Sequence, residues 1–252
     1  MKLTFMGTAG ARFMVAKQLA ASGGLYLEQD GTRIAMDPGP GAVVQYAKRK
    51  VDLARLNGIL VSHRHLDHCN DVNVLIEAMT EGGFRRRGTL FCPGDALDED
   101  PVVLRYLRDF PEKLVRLEAE CEYRLGEISF ATTRRHIHGA ETYGFRFGDP
   151  GDGRPPKLGW VTDSKYYEGI AEDHCAEVMV IHTVLAHSRA DLPHLGLDDA
   201  ERIIAAARPR LAVITHFGMT VWRAHPWEVA AGISQRTGVE VKAARDGMSL
   251  EL

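Results

Sequence analysis

The stretch Ser62-His63-Arg64-His65-Leu66-Asp67-His68 limits this chain more than any other. It sets three imidazoles and a carboxylate side by side in a chain of 252 residues with 11 His. So dense a string of nitrogen and oxygen donors reads as a metal-binding loop, provided its surroundings fit. Gly58-Ile59-Leu60-Val61-Ser62 is a short apolar run of the kind that forms a buried strand, and the string follows at its end. Asp71 to Met79 then predicts a helix, with Val72, Val74, Leu75 and Met79 on or near one face. A loop held between strand and helix fixes side chains better than a free loop does. Imidazole nitrogen and carboxylate oxygen are ordinary ligands of a borderline metal such as zinc, and no thiolate is needed.

The string resembles the signature of the metallo-β-lactamase fold superfamily. The resemblance covers nearly the whole chain. It implies an α/β fold: an αββα sandwich of two mixed β-sheets flanked by helices, with residues 1–252 as a single domain. The expected halves are 1–133 and 134–252, with the metal site along a sheet edge between them. On the family pattern, His63 and His65 hold one metal, and Asp67 and His68 a second. The rest of the chain must then supply a third His, a bridging Asp and a last His.

His136 and His138 compete for the third place. In the tRNA 3′-processing endonucleases and related phosphodiesterases of the superfamily, the ligand His lies six residues before the Gly of an aromatic-Gly-aromatic-Arg strand. Tyr143-Gly144-Phe145-Arg146 fits with His138 as ligand, and leaves His136 as a structural residue or one behind the ligands. Asp163 ends the apolar run from Lys157 and matches the family's bridging carboxylate. His216 ends the strand Leu211-Ala212-Val213-Ile214-Thr215 and matches the last ligand. His182, inside the apolar run Glu177 to Val184, reads as a core residue or one behind the ligands. Asp37, in Asp37-Pro38-Gly39-Pro40-Gly41, either supports the site from beneath or caps a helix from Ala42 to Lys50.

Further strands are expected over Leu3–Met6, Leu25–Glu28, Arg33–Met36, Thr89–Pro93, Lys113–Leu117, Glu122–Leu125 and Ile128–Thr132. Asp30-Gly31 marks the second and third as a hairpin. Helices are expected over Pro101–Phe110, Asp198–Ala207 and Trp222–Thr237, and Val239–Ala244 with Ser249–Leu252 complete a sheet. Gly148 to Pro156 reads as a loop, because ligands lie on both sides of it.

An apolar content of 45% and a charged content of 26% are those of a soluble globular protein. A net charge of −3 argues against a general nucleic-acid binder, and no stable nucleic-acid partner is expected. The four Cys are scattered without a C-x-x-C pair, which suits reduced thiols and a cytoplasmic location. Met1 to Phe5 is too short in apolar residues for a signal peptide, and no apolar run approaches the roughly 18 residues of a membrane span. The sequence leaves room for a homo-oligomer.

The ligand set implies two divalent metal ions, zinc first and manganese or iron as alternatives. Such a pair activates water at neutral pH and neutralises developing oxyanion charge, so hydrolysis is the expected reaction. Gly7-Thr8, Tyr143-Gly144-Phe145-Arg146 and His194 ahead of a helix resemble the phosphodiesterase branch. Asp67 and His194 are the residues expected to act in catalysis. Arg134, Arg85, Arg86 and Arg87 are candidates for holding an anionic small-molecule substrate. The chain departs from the tRNA-processing enzymes in having Asn70-Asp71 after the string and no candidate for their long tRNA-binding arm. The reading is therefore a small phosphodiester or nucleotide-like substrate. A carboxylic ester, thioester or lactone is the alternative, and precursor tRNA or di-iron oxygen or redox chemistry fits less well.

Overall fold

A computed structural model describes residues 1–98, 100–148 and 155–252. Its first sheet is built from β1 (Lys2–Phe5), β2 (Leu25–Gln29), β3 (Thr32–Met36), β4 (Gly58–Leu60), β5 (Thr89–Cys92), β6 (Lys113–Arg116) and β14 (Ser249–Glu251). The order is β14-β1-β2-β3-β4-β5-β6. The second sheet contains β7 (Glu122–Leu125), β8 (Ile128–Arg135), β9 (Tyr143–Phe147), β10 (Leu158–Val161), β11 (Val178–His182), β12 (Leu211–Thr215) and β13 (Glu240–Ala243). It runs in the order β13-β12-β11-β10-β9-β8-β7. Both sheets mix parallel and antiparallel pairs.

Period-two alternation explains the layering. Leu3 and Phe5 of β1 and Leu211 and Val213 of β12 point between the sheets, into one apolar core with Phe145, Phe147 and Trp160. Their neighbours face outward. Ile59 and Leu90 meet the apolar side of α4 (Val72–Thr80), and Ala212 and Ile214 meet α6 (Leu197–Ala207) and α8 (Pro226–Thr237). The result is the expected helix–sheet–sheet–helix sandwich.

Four expectations change. The division between sheets falls between Arg116 and Glu122, not near residue 133, because β7 and β8 form a hairpin within the second sheet. The last two strands separate: β13 extends the second sheet, while β14 crosses back to pair with β1. Pro101 to Phe110 is not an α-helix. A single 3-10 turn, Arg105–Leu107, is all that forms, because long-range partners take the backbone groups a helix would need. Asn73 holds the Val102 carbonyl and the Leu104 amide, and the Arg108 guanidinium holds the carbonyls of Leu97 and Val103. Trp222 to Thr237 splits into α7 (Met219–Arg223) and α8, with His225 at φ 57° and Pro226 opening the second helix. Proline has no N–H to continue a preceding helix but suits a first turn. The Gly148–Pro156 connection lies largely outside the described residues.

Candidate metal centre

The ligand string leaves the first sheet at the end of β4. Asp37, at the end of β3, organises it from beneath. Its carboxylate accepts the Ser62 amide and hydroxyl, each at 2.6 Å, and the Nδ1 proton of His68 at 2.7 Å. The Ser62 hydroxyl, having donated to Asp37, accepts from His63 Nδ1 at 3.0 Å. One buried carboxylate thus sets the tautomer of both imidazoles and turns each Nε2 toward the site. Asp37 caps no helix, since α2 (Ala42–Lys48) starts at Gly41 without a side-chain cap.

Two donor clusters result. In the first, His65 Nδ1 lies 3.1 Å from His63 Nε2 and 3.0 Å from His138 Nε2. His138 donates its Nδ1 proton to the Pro193 carbonyl at 2.8 Å, so the nitrogen it aims at His65 carries a lone pair. Burial lowers the pKa of all three rings, most strongly for His63. Three neutral imidazoles converging on one point leave lone pairs that a cation would satisfy.

The second cluster is built on carboxylates. His68 Nε2 is 3.5 Å from Asp163 Oδ2 and 3.7 Å from Asp67 Oδ2. His216 Nε2 is 3.4 Å from Asp163 Oδ1 and 3.5 Å from Asp67 Oδ2. Both Nε2 atoms are buried without a hydrogen-bond partner among the described residues. Burial alone would lower the pKa of His68, yet Asp67, Asp163 and Asp37 hold it well above the ordinary value. His216 is raised against burial in the same way, by Asp163 first. Burial works in the opposite sense on Asp163, but His216 and His68 hold it well below the carboxylate range. A pocket that draws protons onto two buried imidazoles is one that calls for positive charge, and a divalent cation fits these donors. His216 leaves β12 at φ 58°, an uncommon conformation for a residue with a side chain and one that recurs at functional sites.

His182 touches the second cluster but has no lone pair to offer it. Its Nδ1 donates to Asp163 Oδ1 at 2.9 Å, and its Nε2 accepts from Trp160 Nε1 at 3.0 Å. Burial drives its pKa down to about 4, so it stays neutral. It is a positioning residue for Asp163, the second of the two roles read for it from the sequence, and what the sequence hides is its partner Trp160, which reads simply as an apolar strand position. Trp160→Phe removes the donor that fixes the tautomer. Loss of a partner of this kind costs roughly 10–100-fold in metal affinity, which competition against a chelator would measure.

His136 and His138 diverge. His136 packs behind Asp163, with Nδ1 3.2 Å from the Asp163 carbonyl and Nε2 3.2 Å from His174 Nε2. Gly144 makes room for that pair: a Cβ there would lie 2.0 Å from His174 Nε2 and 2.7 Å from His136 Nε2. Gly144→Ala is therefore expected to destabilise the fold by about 1–3 kcal/mol, as overpacking does, in urea unfolding. An unchanged midpoint would show that His174 moves aside freely.

The other expected residues fall in two groups. His194 Nδ1 lies buried 3.3 Å from Asp163 Oδ2, with its ring against His138. Asp67 also accepts the Ala11 amide at 3.1 Å, a link to α1 (Ala11–Lys17) that the sequence did not reveal. The arginines do not join them. Arg134 is turned to Asp173, with Nε 2.6 Å from Oδ2, and lies over Tyr167. Arg85 pairs with Glu81, Arg86 bonds the Pro111 carbonyl, and Arg87 bonds the carbonyls of Ala54 and Leu56. Gly88 leads into β5 at the end of the sheet opposite the ligand string, because β4 and β5 are parallel. The structure does not bring these four to the donor clusters: Arg134 is paired with Asp173, and Arg85–Arg87 lie at the far end of the sheet.

Comparison with known proteins agrees with this architecture. The family model for the beta-lactamase superfamily domain matches residues 32–217. An uncharacterized protein of Methanocaldococcus jannaschii is 27% identical over 262 residues, covering 100% of this chain and 95% of the relative. A ribonuclease Z of Kineococcus radiotolerans is 28% identical over 263 residues, covering 86% of this chain and 83% of its own. Among solved structures, the metallo-beta-lactamase fold protein YhfI of Bacillus subtilis superposes with a TM-score of 0.80 at 17% identity, over 100% and 99% of the two chains. A diphosphatase of the PhnP family gives 0.74 at 18% identity, over 100% and 96%. With two mixed sheets, flanking helices and a match that spans the ligand string, Asp163 and His216, the chain belongs to the beta-lactamase superfamily of metal-dependent hydrolases with the metallo-β-lactamase fold.

Proposed function

We propose that this chain is a binuclear metal-dependent phosphodiesterase acting on a small phosphodiester or nucleotide-like substrate. The observation that carries the reading is the position of Asp163. One oxygen faces His68 and His194 and the other faces His216, beside the His63–His65–His138 cluster. His63, His65 and His138 would hold one ion, Asp67, His68 and His216 the other, and Asp163 both. Bound there, two divalent ions supply Lewis-acid activation of water and neutralisation of charge on a phosphoryl oxygen.

The chain's own residues supply the rest. Asp37 and the Pro193 carbonyl hold His68 and His138 in fixed tautomers, and His182 orients the Asp163 carboxylate. His194 has Nδ1 turned inward, which leaves Nε2 as the nitrogen that can reach a leaving group. Leu66, on α3 (Leu66–Cys69), and Phe13, on α1, are exposed apolar side chains on two helices that pack together, and they are the candidates for meeting a base or alkyl group. Support for phosphorus comes from the relatives that are named ribonuclease Z and diphosphatase.

One observation favours the second reading, a carboxylic ester, thioester or lactone. The four arginines expected to meet an anion are spent elsewhere, and a neutral substrate needs none of them. Metal analysis of the purified chain beside hydrolysis of bis(p-nitrophenyl) phosphate, a thioester and a lactone separates the two. Two ions per chain with preference for the phosphodiester is the expected result. Preference for the thioester or lactone would overturn it, and efficient cleavage of precursor tRNA would replace the small substrate.

A further inference from the structure

A second pocket, of about 410 Å³, opens on the outer face of the first sheet. None of its lining residues belongs to the metal centre. Leu3 and Phe5 of β1 point into the core, so Lys2 and Thr4 point outward and form its floor with Tyr26. Five cations converge on it: Lys2 from β1, Arg33 from β3, Arg49 and Lys50 from the end of α2, and Arg55 from the turn before β4. Glu28 and Asp52 are its two carboxylates. Five positive and two negative groups leave +3 on a wall of a chain whose net charge is −3.

The cations are unequally engaged. Arg33 pairs with Glu28 at 2.9 Å, and Arg49 bonds the Gln45 carbonyl and side chain. Lys2, Lys50 and Arg55 have no ion-pair or side-chain hydrogen-bond partner among the described residues. At the end of α2 the amides of Arg49, Lys50 and Val51 take the carbonyls of Gln45, Tyr46 and Ala47, and the cations of the pocket outweigh the negative end of that short helix. Lys50 holds φ 56°, a position where glycine is the usual occupant. Hydroxyls lie on the floor: Thr4 Oγ1 and Ser249 Oγ are 2.9 Å apart, and Tyr26 lies among Glu28, Arg33 and Arg55. A cationic, hydroxyl-floored concavity of this volume suits a compact ligand more than a polymer laid across a surface.

We propose that this pocket is a second site, separate from the metal centre, for a small phosphate-bearing anion. Phosphate is the chemistry that best matches it, because guanidinium, ammonium and hydroxyl donors can share its several acceptor oxygens. The inference does not depend on what the metal centre hydrolyses.

The test is equilibrium dialysis of the metal-loaded chain at low salt against inorganic phosphate and against AMP. The double substitution Lys50→Glu, Arg55→Glu alters two exposed side chains that hold no other element in place, so folding is retained. It should remove one bound equivalent, or weaken it by about tenfold or more, with hydrolysis of bis(p-nitrophenyl) phosphate unchanged. His138→Ala should leave that equivalent in place. Loss of a phosphate equivalent without an AMP equivalent supports the site and narrows its ligand to the inorganic ion. Equal stoichiometry and affinity in wild type and double variant would overturn the proposal, as would loss of all bound phosphate and AMP in His138→Ala.

Discussion

Asp163→Ala should strip both metal positions and lower hydrolysis by at least about 10³-fold. Asp163 groups with His68 and His216 of the second cluster and with His138 of the first. The metal-free chain should suffer as well. Asp163 is 2% exposed and holds His68, His182 and His216. Removing one partner of a buried ion pair costs about 3–5 kcal/mol, because the other charge remains buried alone. Asp163→Asn separates the two effects. It keeps the volume and one oxygen, so the chain should fold while metal content falls. An Asn variant that still carries two ions per chain and full activity would remove Asp163 from the bridging role.

The second large effect belongs to His194. With Nδ1 beside Asp163, its Nε2 is the nitrogen left to protonate a leaving alkoxide, and it has no hydrogen-bond partner among the described residues. A positioned acid contributes roughly 10²–10⁴-fold, and His194→Ala should lower kcat by about that much on an alkyl phosphodiester. The loss should be far smaller on a p-nitrophenyl ester, whose leaving group needs no proton. Metal content decides between two roles, because the buried Nδ1 could also serve a cation. Two ions in the variant, with activity lost on the alkyl ester alone, is the expected pair of results. One ion would make His194 a ligand, and undiminished alkyl-ester cleavage would remove it from catalysis.

What could be read from the sequence follows from the range of the forces involved. The string at the end of β4 was legible because strand, turn and helix there are set locally by apolar spacing. Asp163 and His216 were expected from the family pattern, and each follows an apolar strand, β10 and β12. The direction of Arg134 was not. Alternation along β8 says which face a residue is on, but its partner Asp173 comes from α5 (Ile170–Asp173), distant in sequence. Pro101 to Phe110 fails for a related reason: Asn73 and Arg108 satisfy its backbone, and no local pattern shows that. The Trp160–His182 pair is hidden in two strands whose alternation looks purely apolar. Pro226 stands inside Trp222–Thr237, where a residue without an N–H ends one helix and opens the next.

The centre also joins the two halves of the sandwich. His63, His65, Asp67 and His68 come from the first sheet, and His138, Asp163 and His216 from the second. Around them the halves meet through a few backbone bonds, among them Tyr143 to Ser62 at 3.3 Å and Phe217 to Thr8 at 2.8 Å. Ions held there would act as a clasp, and their binding free energy would add to the stability of the folded chain. At free metal a thousandfold above Kd, linkage contributes about 4 kcal/mol per site. The melting temperature should then fall on chelation and recover with added metal, and a melting curve indifferent to chelator would rule the clasp out. A cell short of metal would hold a less stable chain along with a less active one.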